Sequence, residues 1–333
     1  MTRARKSSTA SVTPAIPMAN RIAIDVGYRQ VKAVSARSRI SFPSSVAPAR
    51  TFSASGIARL ENYQVTIDGE PFFVGDLAER EASNSLIEQT ERTKHHNQEH
   101  DVLILTAARL LNAEPGCHLA VGLPIAYFAD QRVDLQRSLT QLEAEVSVDG
   151  MKPREIFFDN IIVYPQGAAA LLTLKSLPQE GMVSLIDIGQ RTTDYITARI
   201  QDGRVTPVLS QTGSIEIGVA DYYRAIGEIY QAHTGAPANG NRIQDVIKRQ
   251  GRIAYRRKII DLSDDMLKAQ TMIAKAIGDR IKKSLAEIHY DLDAIYMAGG
   301  GSHVFPRLVE DMQATVIEDP VWANSLGFLK LLE

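Results

Sequence analysis

Two segments of this chain carry the same pattern, and few folds accommodate it twice. IAIDVGYRQVKAV (22–34) and SLIDIGQRTTDYITA (184–198) each bring an apolar run into Asp-x-Gly and leave along a second β-rich run. Such a segment reads as a hairpin whose turn is set by glycine. In the first, Asp25 ends the strand, Gly27 makes the turn and Lys32 returns on the second strand. Backbone N–H groups of the turn point inward and cradle phosphate oxygens, Lys32 offsets their charge, and Asp25 orients water around Mg²⁺. One Asp-x-Gly alone also suits an ordinary hairpin. The second copy, Asp187, Gly189, Thr192, Thr193 and Asp194, sits at the matching place of a repeated order of strand, glycine turn, strand, strand. Two facing turns then clamp a polyphosphate between two domains, with Asp25 and Asp187 as acidic anchors for metal-bound water and Thr192 and Thr193 as hydroxyl donors.

A third glycine element follows late in the chain. AIYMAGGGSHVFP (294–306) takes a hydrophobic strand into Gly299, Gly300 and Gly301 and then, from about Ser302, a helix. Three glycines permit close backbone approach, so a flat base or ribose fits over the turn. Gly213 and Ser214 join this ligand-binding set. Between the motifs, β-rich runs at 21–74, an amphipathic stretch at 97–111, a strand at 118–124, helices near 129–143 and after Pro165, and later helices near 215–234, 241–250 and 264–289 alternate along the chain. That alternation predicts mainly parallel sheets covered by helices, with ligands at the carboxyl ends of the strands.

In this order, D-x-G…K, D-x-G-x-x-T-x-D and G-G-G resemble the phosphate 1, phosphate 2 and adenosine motifs of the actin superfamily. ISFPS (40–44), VTIDGEPFFVGDLA (65–78), VGLP (121–124) and VYPQGAAAL (163–171) are most similar to ParM-type bacterial and archaeal actins. The resemblance implies an α/β, actin-like (ribonuclease H-like) duplicated fold with nucleotide in the interdomain cleft. Domain I would take residues 20–164 plus 325–333 and domain II residues 165–324, behind a disordered tail at 1–19. It further implies ATP, with GTP as the alternative, bound with Mg²⁺ through Asp25 and Asp187. Gln166, at the first crossover, would position the attacking water, with Asp187 as the second catalytic residue; Asn324, Ser325 and Gly327 resemble the hinge-like second crossover. Self-assembly into filaments and plasmid DNA segregation through an adaptor bound to a centromere-like site are implied as well. Tyr28, Arg29, Gln30, Gln190 and Arg191 stand in the binding turns where the family commonly keeps small residues. Arg29 and Arg191 therefore offer themselves to the γ-phosphate.

Composition narrows the alternatives. Lys and Arg total 37 against 39 Asp and Glu, which gives no general field for nucleic acid and predicts no direct sequence-specific DNA binding. No apolar run reaches membrane-spanning length, and the single cysteine, Cys117, suits a reducing, cytoplasmic setting as a packed thiol. The basic run KRQGRIAYRRK (248–258) reads as a solvated face or filament contact. His95, His96 and His100 read as exposed polar residues at a helix start. A small-molecule kinase of the same superfamily and a scaffold filament are the rival readings; the kinase lacks an evident substrate acid or base.

Overall fold

The computed structural model describes residues 20–49, 62–81, 97–175, 177–202, 204–288 and 291–333. The 1–19 tail and His95 and His96 lie outside the described residues. The first repeat folds as β1 (Arg21–Val26), β2 (Gln30–Ser35) and β3 (Arg39–Pro43), each antiparallel to the next. β1 is buried from Ile22 to Val26 because it is a central strand, with β2 on one side and, in parallel, β7 (Cys117–Leu123) on the other. β10 (Phe158–Pro165) closes the sheet in the order β10-β7-β1-β2-β3.

A second sheet rises beside it, in the order β4-β6-β5-β8-β9, from β4 (Val46–Pro48), β5 (Asn62–Ile67), β6 (Glu70–Gly75), β8 (Ala144–Val148) and β9 (Arg154–Ile156). The helices of this lobe are α1 (Asp76–Glu81), α2 (Gln98–Leu110) and α3 (Ile125–Thr140); the single turn α4 (Ala168–Leu171) follows the first crossover and packs into the core of the second lobe. α2 joins both sheets into one core: Leu103 and Ile104 pack with Ile22, Val31, Val65 and Val146.

The second lobe repeats the topology. β11 (Glu180–Ile188), β12 (Thr193–Gln201), β13 (Arg204–Pro207), β17 (Ala294–Ala298) and β18 (Thr315–Val316) run in the order β13-β12-β11-β17-β18, the same sequence of roles as β3-β2-β1-β7-β10. β14 (Gly213–Ile215) adds to β12. Its helices are α5 (Val219–Thr234), α6 (Gly240–Lys248), α7 (Ser263–Ser284), α8 (Gly301–Val304) and α9 (Pro306–Asp311), with the hairpin β15 (Arg252–Tyr255) and β16 (Lys258–Asp261) between α6 and α7. The chain then crosses back: α10 (Ala323–Lys330) packs on the first sheet, with Phe328 fully buried against Ala23, Ala120 and Ala169.

Several local expectations are corrected. Within the β-rich stretch 21–74, RISFPSSV (39–46) reads as one run, but Arg39–Pro43 is β3 and Val46 opens β4 in the other sheet. The helix expected after Pro165 is one turn, and the helix placed at 129–143 starts at Ile125, directly after Pro124. The basic run 248–258, by contrast, lies where the sequence places it, at the end of a helix, and continues into a β-hairpin. His100 is buried rather than exposed.

α10 approaches α4 so closely that a Cβ on Gly327 would overlap the Ala169 carbonyl. Gly327→Val should therefore lower unfolding free energy by about 2–3 kcal/mol in urea titration. Gly240→Ala, where a methyl meets nothing within 4 Å, should change it by under about 0.5 kcal/mol.

Candidate functional site: two facing hairpin turns

The two repeated segments form equivalent turns, residue for residue. Asp25 pairs with Lys32 across β1–β2, and Asp187 with Asp194 across β11–β12. Gly27 N–H donates to the Gln30 carbonyl at 3.2 Å, and Gly189 N–H to the Thr192 carbonyl at 2.9 Å. The pair of charges is what differs. The first turn joins carboxylate to ammonium, Asp25 Oδ2 and Lys32 Nζ being 3.6 Å apart. The second sets two carboxylates side by side.

Each crossover between the lobes sends an amide side chain to one of these aspartates. Gln166 Nε2, just after β10, donates to Asp25 Oδ1 at 2.7 Å. Asn324 Nδ2, in α10, donates to Asp187 Oδ2 at 2.8 Å, and its own Oδ1 accepts from Gly167 N–H at 2.7 Å. One asparagine thus ties the second crossover to the first and to the second turn. In the sequence Asn324 stands only as a residue of the hinge-like crossover; its spatial pairing with Asp187 leaves no trace at a separation of 137 positions.

The glycine turn at 299–301 seats against the second hairpin. Gly299 has φ +78°, and a Cβ there would strike Asp187 Oδ1 and the Ile188 carbonyl; one on Gly301 would strike the Ile188 side chain. Gly300 faces open space, so the three residues form a shelf beside Asp187. The expected hydroxyl donor Thr193 is engaged elsewhere, and so is the side chain of Ser302. Thr193 is buried and its hydroxyl donates to the Ile217 carbonyl at 2.8 Å, while buried Ser302 donates to the Gly299 carbonyl at 2.7 Å. Both hydroxyls donate to backbone carbonyls and shape turns. Gly213 lies under the Tyr195 hydroxyl, whereas Ser214 and Thr192 hydrogen-bond to the Asp194 carboxylate.

The bulky residues of the turns hold the lobes to each other. The Arg191 guanidinium lies 5.3 Å from the Tyr28 ring centroid, and Arg29 lies 5.3 Å from that of Tyr223 on α5. Each is a cation–π contact between lobes, worth on the order of 0.5–2 kcal/mol. The second turn also receives the start of α5: Val219 N–H donates to Gly189 and Ala220 N–H to Gln190. Ser44, missed in the sequence, braces the first turn by donating to the Gly27 carbonyl at 2.6 Å.

Electrostatically the cleft is short of positive charge, with Asp25, Asp187 and Asp194 set against Lys32. Burial pushes the Asp187 carboxyl above its usual range, and the nearby Asp25 charge adds to this, while Asn324 and Lys32 pull it back. Burial pushes Asp194 up to about 6, with help from Asp187, against the hydrogen bonds from Ser214 and Thr192. Among the described residues no three His, Cys, Asp or Glu side chains are grouped to grip a metal ion. Asp25 and Asp187 are the carboxylates that would hold a divalent cation, through water and ligand oxygens.

Because the folded protein holds the Asp194 proton more tightly than the unfolded chain, this group's contribution is fully present below pH ~3.8 and is lost as pH rises through about 6. Asp194→Asn should therefore gain on the native protein, without nucleotide, by on the order of 1–2 kcal/mol between pH 5 and pH 8. Chemical denaturation across that range measures it; a pH-independent difference would contradict the assignment.

Comparison with known proteins agrees with this architecture. The model of the actin-like protein N-terminal domain matches residues 23–168, and that of the archaeal MreB-like actin homologue C-terminal domain matches residues 185–311. An archaeal actin homologue of Thermoplasma acidophilum is 24% identical over 336 residues, covering 92% of this chain and 97% of the relative. Among solved structures, a 15-stranded ParM filament from Clostridium botulinum is 25% identical with TM-score 0.77, covering 94% and 99% of the two chains. An archaeal actin homologue in complex with ADP has TM-score 0.80 at 23% identity, covering 93% and 98%. With both halves matched and the paired turns in register, the chain belongs to the actin superfamily, as a ParM-like actin homologue.

Proposed function

We propose that the chain is a cytomotive actin: it binds ATP with Mg²⁺ between its lobes, polymerises, and hydrolyses the nucleotide to time disassembly. The observation that carries this reading is the crossed pair of amide–carboxylate bonds, Gln166 to Asp25 and Asn324 to Asp187, joining both crossovers to both turns. A ligand gripped by the turns is thereby coupled to the hinge between lobes, taken as 20–164 plus 325–333 and 165–324. The ADP complex of one similar protein and the filament formed by another support the two parts of the reading.

The roles follow from donor chemistry. A carboxylate only accepts, so Gln166 must turn its Nε2 to Asp25, leaving Oε1 to accept from a water. A neutral amide orients that water without deprotonating it. Lys32 and the turn backbones offset phosphate charge, Asp25 and Asp187 anchor metal-bound water, and the Gly299–Gly301 shelf receives the nucleoside. Mg²⁺, when bound, would supply charge neutralisation at the transferred phosphate. Arg29 and Arg191 reach phosphate by leaving Tyr223 and Tyr28, which makes the cation–π pairs a latch that closure rearranges. The lone cysteine is buried and its thiol is pushed up to about 12, in keeping with a cytoplasmic protein. No helix among the described residues is long and apolar enough to cross a membrane. Plasmid segregation through a DNA-bound adaptor is consistent with a chain without net positive charge.

Two measurements test the reading. Light scattering with electron microscopy should show filaments with Mg-ATP that Asp187→Ala abolishes; no filaments with any nucleotide would overturn assembly, and phosphate appearing on a small molecule would favour the kinase. Gln166→Ala should slow phosphate release by about 100-fold or more while nucleotide affinity stays within a few-fold.

A further inference from the structure

Charge is distributed unevenly along this chain. Residues 241–258 carry seven Lys and Arg against one acidic residue, Asp245, while the formal net charge of the whole chain is −2, so the remainder carries −8. All seven cations are exposed. They stand on α6 and the β15–β16 hairpin, apart from the paired turns and the glycine shelf.

Local structure gathers them onto one surface. The chain leaves α6 through Gly251, which has φ +86° and lies so near α7 that a Cβ there would strike the Ser263 backbone. Gly251 N–H donates to the Val246 carbonyl and Arg252 N–H to that of Arg249, so the hairpin begins against the helix end. Ile253, Tyr255 and Ile260 face the core of the second lobe. Tyr255 meets the buried ring of Tyr230 on α5 edge to face, at 6.1 Å between centroids. The Arg242 guanidinium lies 5.9 Å from the Tyr230 centroid, and that of Arg256 lies 5.4 Å from the Tyr255 centroid. One aromatic pair thus positions an arginine of the helix and an arginine of the hairpin. A guanidinium stacked on a ring keeps N–H groups along its edge for an oxygen acceptor.

Few of these charges are spent within the protein. Asp245 is shared by Arg242 and Arg249, at 3.4 and 2.7 Å, and Arg252 lies 3.8 Å from Asp261. Among the described residues no ion pair engages Lys248, Arg256, Arg257 or Lys258. The negative end of the α6 dipole accounts for Lys248 and Arg249, but not for the hairpin tip. There Arg256 and Arg257 occupy a two-residue turn with φ of +48° and +66°, where glycine or asparagine normally sits. Strain of this kind marks positions retained for another purpose.

Guanidinium forks match phosphate oxygens. From Arg242 to Arg249 the helix rises about 10 Å, a length over which duplex DNA carries about six charges. A lipid surface calls for apolar side chains among the cations, and of those on α6 and the hairpin larger than alanine only Ile259 is exposed. We propose that α6 and the β15–β16 hairpin bind the phosphate backbone of duplex DNA directly, without reading base sequence. Local charge carries this contact in a chain whose overall balance gives no such field, and the contact does not rest on the nucleotide reading of the cleft.

Fluorescence anisotropy with two duplexes of unrelated sequence tests it, using the full chain without nucleotide and below any assembling concentration. Both duplexes should bind with affinities within about twofold of each other, and lose roughly 100-fold between about 50 and 200 mM salt. Arg256→Gln with Arg257→Gln, and separately Arg242→Gln with Arg249→Gln, should each weaken binding by about tenfold and lower the salt slope by about 2. Arg256→Lys with Arg257→Lys keeps the charge and should retain most of the affinity. Lys282→Gln with Lys283→Gln, at the far end of α7, should leave it within about twofold, and circular dichroism checks that each variant is folded. No binding at the lower salt overturns the proposal, as does binding that both glutamine pairs leave unchanged, which would assign it to another segment such as the basic tail. Tighter binding to phosphatidylserine vesicles than to DNA, lost in the same variants, overturns it in favour of a membrane. Failure of the protein to form filaments leaves this measurement unaffected, so the two readings fall separately.

Discussion

The arrangement of the cleft depends on two hydrogen bonds that cross between lobes and crossovers, Gln166 to Asp25 and Asn324 to Asp187. With the Arg191–Tyr28 and Arg29–Tyr223 contacts, they tie two hairpins on separate sheets to each other and to the crossovers. Asn324 spends both ends of its amide, on Asp187 and on the Gly167 N–H, so the place where the chain enters the second lobe and the place where it leaves are linked through one side chain. The close seat of α10 on α4, which only glycine at 327 permits, holds that asparagine in position. Packing at the crossover and polarity at the site are one design.

Asp25, Asp187 and Asp194 gather beside Lys32, and burial raises the carboxyls of Asp187 and Asp194; a divalent cation bound there would offset their charge. The arginines that would complete such a site rest on Tyr28 and Tyr223, each belonging to the opposite lobe. On the proposed function, ligand capture and lobe closure would draw on the same residues, a physical basis for coupling nucleotide state to shape.

Much of this was legible in the sequence because it is local. Asp25 to Lys32 and Asp187 to Asp194 are eight-residue hairpins whose register follows from their own strands and glycine turns, and the repeated topology follows from meeting the pattern twice. The family resemblance supplied the role of Gln166. What stayed hidden is non-local or depends on which way a side chain turns. Thr193 looks like a hydroxyl donor until β14 and the Ile217 carbonyl arrive to take its proton. The run 248–258 is charged enough to read as solvated surface, and its two arginines in left-handed conformation hide a turn that glycine would have announced. RISFPSSV reads as one strand because a change of sheet at Ser44 leaves the hydrophobic pattern intact.

The central claim is that one ligand is held jointly by both turns and the glycine shelf. Hydrogen–deuterium exchange with and without Mg-ATP, at a concentration too low for assembly, addresses it most directly. Protection is predicted to rise together in residues 27–32, 189–194 and 299–302, with the β4–β9 sheet unchanged. Protection confined to one hairpin, or appearing only outside these three segments, would contradict the account.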